Sequence, residues 1–187
     1  MSKVSFKPGN MLYPLPVVMV SVGDIAGESN IITVAWTGTI NSDPAMVSIS
    51  VRKSRHSYDM LVENKEFCVN LTNKDLVFAT DFCGVKSGRD IDKWEAVKLT
   101  KGQCEKIKAP LIEESPVNIE CKVTKMEDLG SHTIFYGEVV AVQVNKELLD
   151  DKNVFHFNDC NPIAYSHGKY YTLGEELGKF GYSVKKN

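Results

Sequence analysis

The sequence predicts a mostly β protein with a few helices, folded as an antiparallel barrel. Strand-like runs outnumber helix-like ones across the 187 residues, with no regular β–α alternation. No GxGxxG and no P-loop sequence is present, which argues against a Rossmann or Walker nucleotide site. Linkers, repeats and low-complexity segments are missing too, so residues 1–187 read as a single domain.

Val17 to Val22 reads as a first strand after the punctuation of Pro14 and Pro16. The polar, glycine-bearing stretch Gly23 to Asn30 reads as a hairpin connection. Ile31 to Thr37 and Met46 to Val51 are the next two strands, with a turn at Asn41-Ser42-Asp43-Pro44. Tyr58, Leu61 and Val62 then fall at helical spacing, with Ser57 as the expected cap and Asp59 in the first turn. Glu66 to Leu71 returns as a strand. Asn73 predicts the start of a helix over Lys74 to Phe82 that Gly84 closes, and a short helix is expected through Asp90 to Ala96. In Val117 to Val123, apolar Val117, Ile119, Cys121 and Val123 alternate with Asn118, Glu120 and Lys122, the pattern of a half-exposed strand. Thr133 to Val144 is apolar on both faces and is expected to lie centrally, under a helix, or against a second subunit.

Hydrophobic residues at 43% and charged residues at 25% describe an ordinary globular core. A net charge of −2 excludes broad nucleic-acid binding, which needs a basic footprint. The first residues, MSKVSFKPGN, lack a signal-peptide pattern, and no apolar run is long enough to cross a bilayer, so no membrane partner is expected. Cys68, Cys83, Cys104, Cys121 and Cys160 form no CxxC pair, which fits free thiols in a reducing cytoplasm. His156 and Cys160 lack a second pair at metal spacing, so no metal site is expected. His167 falls in a glycine-bearing loop and is expected to be solvated. No GxSxG elbow is present.

Two clusters can carry chemistry. Ser50, Arg52, Lys53, Ser54, Arg55, His56 and Ser57 lie at the end of a strand and the start of a helix. Guanidinium forks, hydroxyls and a helix N-terminus are natural partners for phosphate oxygens. A solvated basic turn is the alternative. The second cluster is TVAWTG, where Thr33, Ala35, Trp36 and Thr37 form a slim platform beside one large flat ring. Core packing of Trp36 is the alternative there. Together the clusters suggest a mononucleotide cofactor site.

These residues also resemble a known family. TVAWTG, an Asp-Pro turn, SISVRKSRHSYDMLVENKEFCVNL, SGRDIDKW, GSHTIFYGEVVAV and PIAYSHGKYYTLGE are similar, in collinear order, to the flavin reductase-like family, and nearest in appearance to the flavoredoxins. The resemblance implies an FMN-binding split β-barrel, FMN as cofactor and a homodimer with the flavin near the interface. It places Thr33, Ala35, Trp36 and Thr37 along the ring and ribityl region. It places Ser50, Arg52, Lys53, Arg55 and Ser57 around the phosphate. Lys93 and His132 would approach the polar edge of the ring, where a Lys or a protonated His stabilises the reduced flavin, and Tyr165 would stack on it. Ser131 replaces the acidic residue many relatives carry before the histidine. The implied activity is electron transfer from a reduced nicotinamide or a protein donor to an acceptor, without a dedicated catalytic acid or base. One alternative is an NAD(P)H:flavin oxidoreductase that releases reduced flavin to a partner monooxygenase. Another is a non-catalytic barrel that binds a phosphorylated ligand or a protein partner.

Overall fold

The structure, a computed structural model, describes residues 1–184. Its strands and helices, in chain order, are β1 (Leu15–Pro16), β2 (Val18–Gly23), β3 (Ser29–Val34), β4 (Thr37–Ser42), β5 (Ala45–Arg52), α1 (Ser57–Asn64), β6 (Glu66–Leu71), α2 (Val77–Val85), α3 (Lys93–Ala96), β7 (Lys101–Gly102), β8 (Leu111–Ile112), β9 (Val117–Asp128), β10 (His132–Val144), β11 (Ile163–Ser166) and β12 (Lys169–Thr172). Seven strands form one sheet in the order β3-β2-β6-β9-β10-β5-β4, and every neighbouring pair is antiparallel. β1, β11 and β12 form a separate three-stranded sheet, and β7 pairs with β8.

The sheet is a split barrel. Its two edge strands, β3 and β4, are consecutive in the chain and only Ala35 and Trp36 separate them. The edges therefore meet at that corner, where Trp36 O accepts a hydrogen bond from Ser50 N at 2.9 Å. No strand ladder closes the gap between β3 and β5.

Alternation along the strands fills both sides of the wall. Val18, Val20 and Val22 of β2 point inward with Ile32, Val34, Ile49, Val51, Phe67 and Phe135. Met19 and Ile31 point outward and are covered by Leu76, Ala79, Cys83 and Trp94 from α2 and its surroundings. Phe67, Phe135, Met19 and Ile31 are fully enclosed. Each such side chain contributes about 1.5–3 kcal/mol through removal from water.

Several expectations need correction. The strand expected over Ile31 to Thr37 breaks after Val34, and β4 runs through Asn41 and Ser42; only Asp43 and Pro44 make the turn. Ser57 does not cap α1: His56 holds the cap position without a side-chain bond, and Ser57 Oγ accepts from Asn30 Nδ2 at 2.8 Å. Gly84 lies inside α2 instead of ending it, although Asn73 does accept from Leu76 N as a cap should. The third helix shortens to Lys93–Ala96 because Asp92 caps it, accepting from Trp94 N at 2.8 Å.

β9 is not half-exposed at its start, since Asn118 and Glu120 are buried. The loop before β9 folds over that face. Glu120 accepts from the N–H groups of Glu105 and Lys106 at 2.8 and 2.7 Å and from Gln143 Nε2 at 2.9 Å. Asn118 Nδ2 donates to Asn70 Oδ1 at 2.8 Å. The doubly apolar strand, now β10, does lie centrally, between β9 and β5.

Candidate functional site

Two adjoining cavities open along the split. The first, about 270 Å³, lies between the β5–α1 turn, β3 and the segment after α2. Its walls carry Arg55, Lys86, Arg89 and Lys93 together with the hydroxyls of Ser54, Ser57 and Ser87. The second, about 240 Å³, is bordered by Thr33, Ala35, Trp36, Ser50, Arg52, His132 and Tyr165. Ile32 and Arg55 line both, so the cavities adjoin at those two residues.

The basic cavity is built by close approach. Gly88 leaves no room for a side chain: an added Cβ would sit 2.4 Å from Asn30 Oδ1 and 2.6 Å from His56 Cδ2. That contact brings Ser87 and Arg89 against the β5–α1 turn, and Arg89 Nη1 donates to Ser54 O at 3.0 Å. Lys93 enters from α3 and is buried. Its Nζ donates to Ile31 O and Cys83 O, both at 2.8 Å, which ties α3 to β3 and to α2. Burial lowers the Lys93 pKa; Cys83 opposes the shift and Arg55 adds to it. Two of the three ammonium hydrogens are thus engaged, and one remains for a ligand.

Ile31 O points at Lys93 and therefore away from β2. Residues of an antiparallel strand alternate the side to which they turn their backbone groups. Thr33 consequently presents its N–H and C=O to the same unpaired edge, which borders the second cavity. Its side chain is engaged elsewhere, donating to Thr80 O at 2.5 Å.

Aromatic groups dominate the second cavity. Trp36 and His132 stack with centroids 4.6 Å apart and ring planes at 37°. His132 is held across from Arg52 by the β5–β10 register, and its Nδ1 is 2.9 Å from Ser131 Oγ. Burial lowers the His132 pKa first, and Arg52 and Arg55 push it the same way, so the neutral imidazole is favoured. The protonated His132 considered from sequence is therefore disfavoured in this environment: the basic knot repels a second positive charge. Tyr165 approaches from β11 on the separate sheet.

Comparison with known proteins places this architecture. A flavin reductase-like domain matches residues 10–174. The chain belongs to the flavin reductase-like family. Among solved structures, flavoredoxin of Desulfovibrio vulgaris (Miyazaki F) superposes with a TM-score of 0.90 at 30% identity, covering 98% of this chain and 100% of that one. Flavoredoxin from Methanosarcina acetivorans gives a TM-score of 0.88 at 25% identity, over 99% and 98% of the two chains. The FMN reductase (NADH) RutF of Pantoea ananatis is 23% identical over 141 residues, 74% of this chain and 65% of that one. This flavin reductase-like protein is a flavin-dependent oxidoreductase on a split barrel, and the redox reading displaces the non-catalytic barrel.

Of the residues singled out by sequence, the structure gathers Thr33, Ala35, Trp36, Ser50, Arg52, Arg55, His132 and Tyr165 at the second cavity. Ser57 and Lys93 join Arg55 at the basic one. Lys93 and His132 thus border different cavities. One residue stands apart. Lys53 is exposed and its ammonium donates to Asp128. Thr37 Oγ1 donates to Ser48 O at 2.7 Å, and Thr37 lines an apolar cavity with Leu12 and Tyr13 that adjoins the second cavity at Ala35, Trp36 and Ser50. Sequence reasoning left out Asn30, Lys86, Ser87 and Arg89 as site residues. The SGRD segment carried a signal for the last two: a glycine beside a hydroxyl and a guanidinium. Nothing local marks Asn30, because its partner Ser57 is distant in sequence.

Among the described residues, no helix is long and apolar enough to cross a membrane.

Proposed function

We propose that the two cavities together hold FMN, with the phosphate in the basic cavity and the ring in the aromatic one. The observation that carries this reading is that a basic and an aromatic cavity adjoin at Arg55 and Ile32. One end offers cations and hydroxyls, the complement of a phosphate dianion. The other offers flat side chains and an unpaired strand edge, the complement of a planar heterocycle with polar atoms on its rim.

The fit is good at both ends. Ser54, Ser57, Ser87 and Lys93 border the phosphate end, with Arg55 and Arg89 at its mouth. Thr33, Ala35 and Ser50 line the ring end beside Trp36, His132 and Tyr165. When bound, the flavin supplies two-electron redox chemistry, and the protein orients it and sets its electrostatics. Arg52 and Arg55 contribute positive charge near the ring end, which favours the reduced, anionic flavin. His132, favoured as neutral, serves as a stacking and hydrogen-bonding group.

We assign the protein as an electron-transfer flavoprotein of flavoredoxin type that takes electrons from a reduced nicotinamide or a protein donor. The name of its RutF relative, an FMN reductase (NADH), supports the nicotinamide. Two further parts of the reading have support. Exposed Val4, Phe6 and Leu12 on the N-terminal segment and Leu177 and Phe180 on the C-terminal one support a homodimer. Five free cysteines support a reducing cytoplasm.

The test is the visible spectrum of the purified protein and the identity of the flavin it releases. A colourless protein that takes up no added FMN would sink the reading. One observation favours the alternative in which flavin is a substrate: Trp36 is still 42% exposed, so the ring end is open. Loss of FMN on gel filtration, with NAD(P)H-dependent turnover of added flavin, would select that alternative.

A further inference from the structure

Tyr165 reaches the ring cavity from a sheet that is separate from the barrel. Backbone pairing ties that sheet to the barrel: β1, which leads directly into β2, pairs with β11 at Leu15↔Tyr165 and Pro16↔Ala164. Ile163 N donates to Thr72 O, Lys74 N donates to Asn161 O, and Asn73 bridges to Pro162, all at the base of β11. The far end of the β11–β12 hairpin is a two-residue turn, His167 and Gly168, with φ of 50° and 84°. That is the geometry of a tight hairpin turn, and it fixes the register. Tyr165 and Tyr170 are therefore directly opposite each other and share a face. Their rings meet edge to face with centroids 5.7 Å apart.

Tyr170 does not stop at Tyr165. Its hydroxyl donates to Asp81 Oδ1 at 2.9 Å. Asp81 belongs to α2, the helix that packs on β3 and receives the Thr33 hydroxyl at Thr80 O. Among the described residues this is the one side-chain hydrogen bond from β11 or β12 to the body of the protein. Burial raises the Tyr170 pKa and the bond to Asp81 raises it further, so the phenol stays protonated and remains a donor. On the other side, Tyr13 packs 6.4 Å from Tyr165, centroid to centroid, and edge-on to His167.

We propose that Tyr170 and Asp81 form a latch that holds β12 against α2 and positions the Tyr165 ring against the cofactor. They are positioning residues, since neither borders the cavity. The latch rests on the assignment of that cavity to the flavin ring. It acts on one group only: β1 keeps the Tyr165 backbone in place, and without the Tyr170–Asp81 bond the Tyr170 ring no longer holds the Tyr165 ring in its orientation toward the cavity.

The experiment is a double-mutant cycle on the FMN-loaded protein, read by flavin release rate and bound-flavin fluorescence, with thermal melting as a control. Tyr165→Leu should speed release and brighten the bound flavin, because a stacked phenol quenches it. Tyr170→Phe and Asp81→Ala should each speed release about ten-fold, the low end for a hydrogen bond to a charged group because this one is exposed. Asp81→Asn keeps an acceptor oxygen and should stay near wild type. In the Tyr165→Leu background, Tyr170→Phe should add nothing. The latch is overturned if Tyr170→Phe leaves release and fluorescence unchanged, or if its effect persists at full size without Tyr165. Failure to load FMN at all appears first in the absorbance spectrum. It would overturn the flavin assignment and the latch with it, and so is told apart from failure of the latch alone.

Discussion

Arg55→Ala gives the sharpest test of how the site divides its labour. Arg55 is the cation shared by both cavities, exposed at the mouth between them. A charge-assisted hydrogen bond contributes about 1.5–3 kcal/mol when removal leaves its partner unsatisfied. Here Lys86, Arg89 and Lys93 remain on the same cavity wall, and the guanidinium is open to solvent. Those two facts put the loss at the low end, ~1.5 kcal/mol, or about ten-fold in Kd. Riboflavin carries the same ring without the phosphate, so its affinity should change by no more than about two-fold on this reasoning. The assay is titration of flavin-free protein with each ligand, followed by flavin fluorescence. Raising salt should shrink the wild-type preference for FMN, because exposed cations are screened. Equal losses for FMN and riboflavin would refute the placement of the phosphate end beside Arg55.

Two further outcomes are expected. Glu120→Ala leaves the N–H groups of Glu105 and Lys106 and the amide of Gln143 without their acceptor. It should cost about 3 kcal/mol in urea unfolding, while FMN affinity of the folded fraction is unchanged. For His132, burial and two arginines hold the folded pKa below the ordinary value of 6.5. The unfolded chain therefore binds the proton more readily. Stability from this residue is complete above about pH 6.5 and is lost as pH falls below it toward the folded pKa. Flavin-free wild type should lose stability relative to H132Q over that interval in pH-dependent melting; parallel curves would deny the depressed pKa.

What was legible in the sequence was periodic or clustered. The Val18–Gly23 strand, the hairpin to Ser29 and the strand over Glu66–Leu71 follow directly from β-branched runs and turn residues. The basic knot was legible because Arg52, Lys53 and Arg55 crowd into one turn on a chain of slightly negative net charge. Direction was not legible. Lys53 looks equivalent to Arg55 in sequence, yet it turns to Asp128, a residue brought near by the β9–β10 hairpin. Glu120 misled for a similar reason. Alternation assigned it to solvent, but the loop before β9 supplies two N–H donors that let a carboxylate be buried. The break at Ala35 was hidden because TVAWTG has no proline or asparagine to mark a corner; what bends the chain there is the meeting of two sheet edges.

That corner explains why the site lies where it does. A closed barrel pairs every strand on both sides and leaves no backbone group for a ligand. This sheet stops short of closure, so β3 keeps one edge unpaired. Lys93 satisfies that edge at Ile31, and the next outward-facing residue, Thr33, meets the aromatic cavity. An exposed edge is ordinarily an aggregation hazard. Here it is hemmed in by α2 and α3 along its length, by Trp36 and His132 at its end, and by the latched hairpin carrying Tyr165. What remains accessible is a slot with backbone donors and acceptors along one side and flat rings at its end. The split is thus both what the fold leaves unfinished and what a planar, polar-edged cofactor completes.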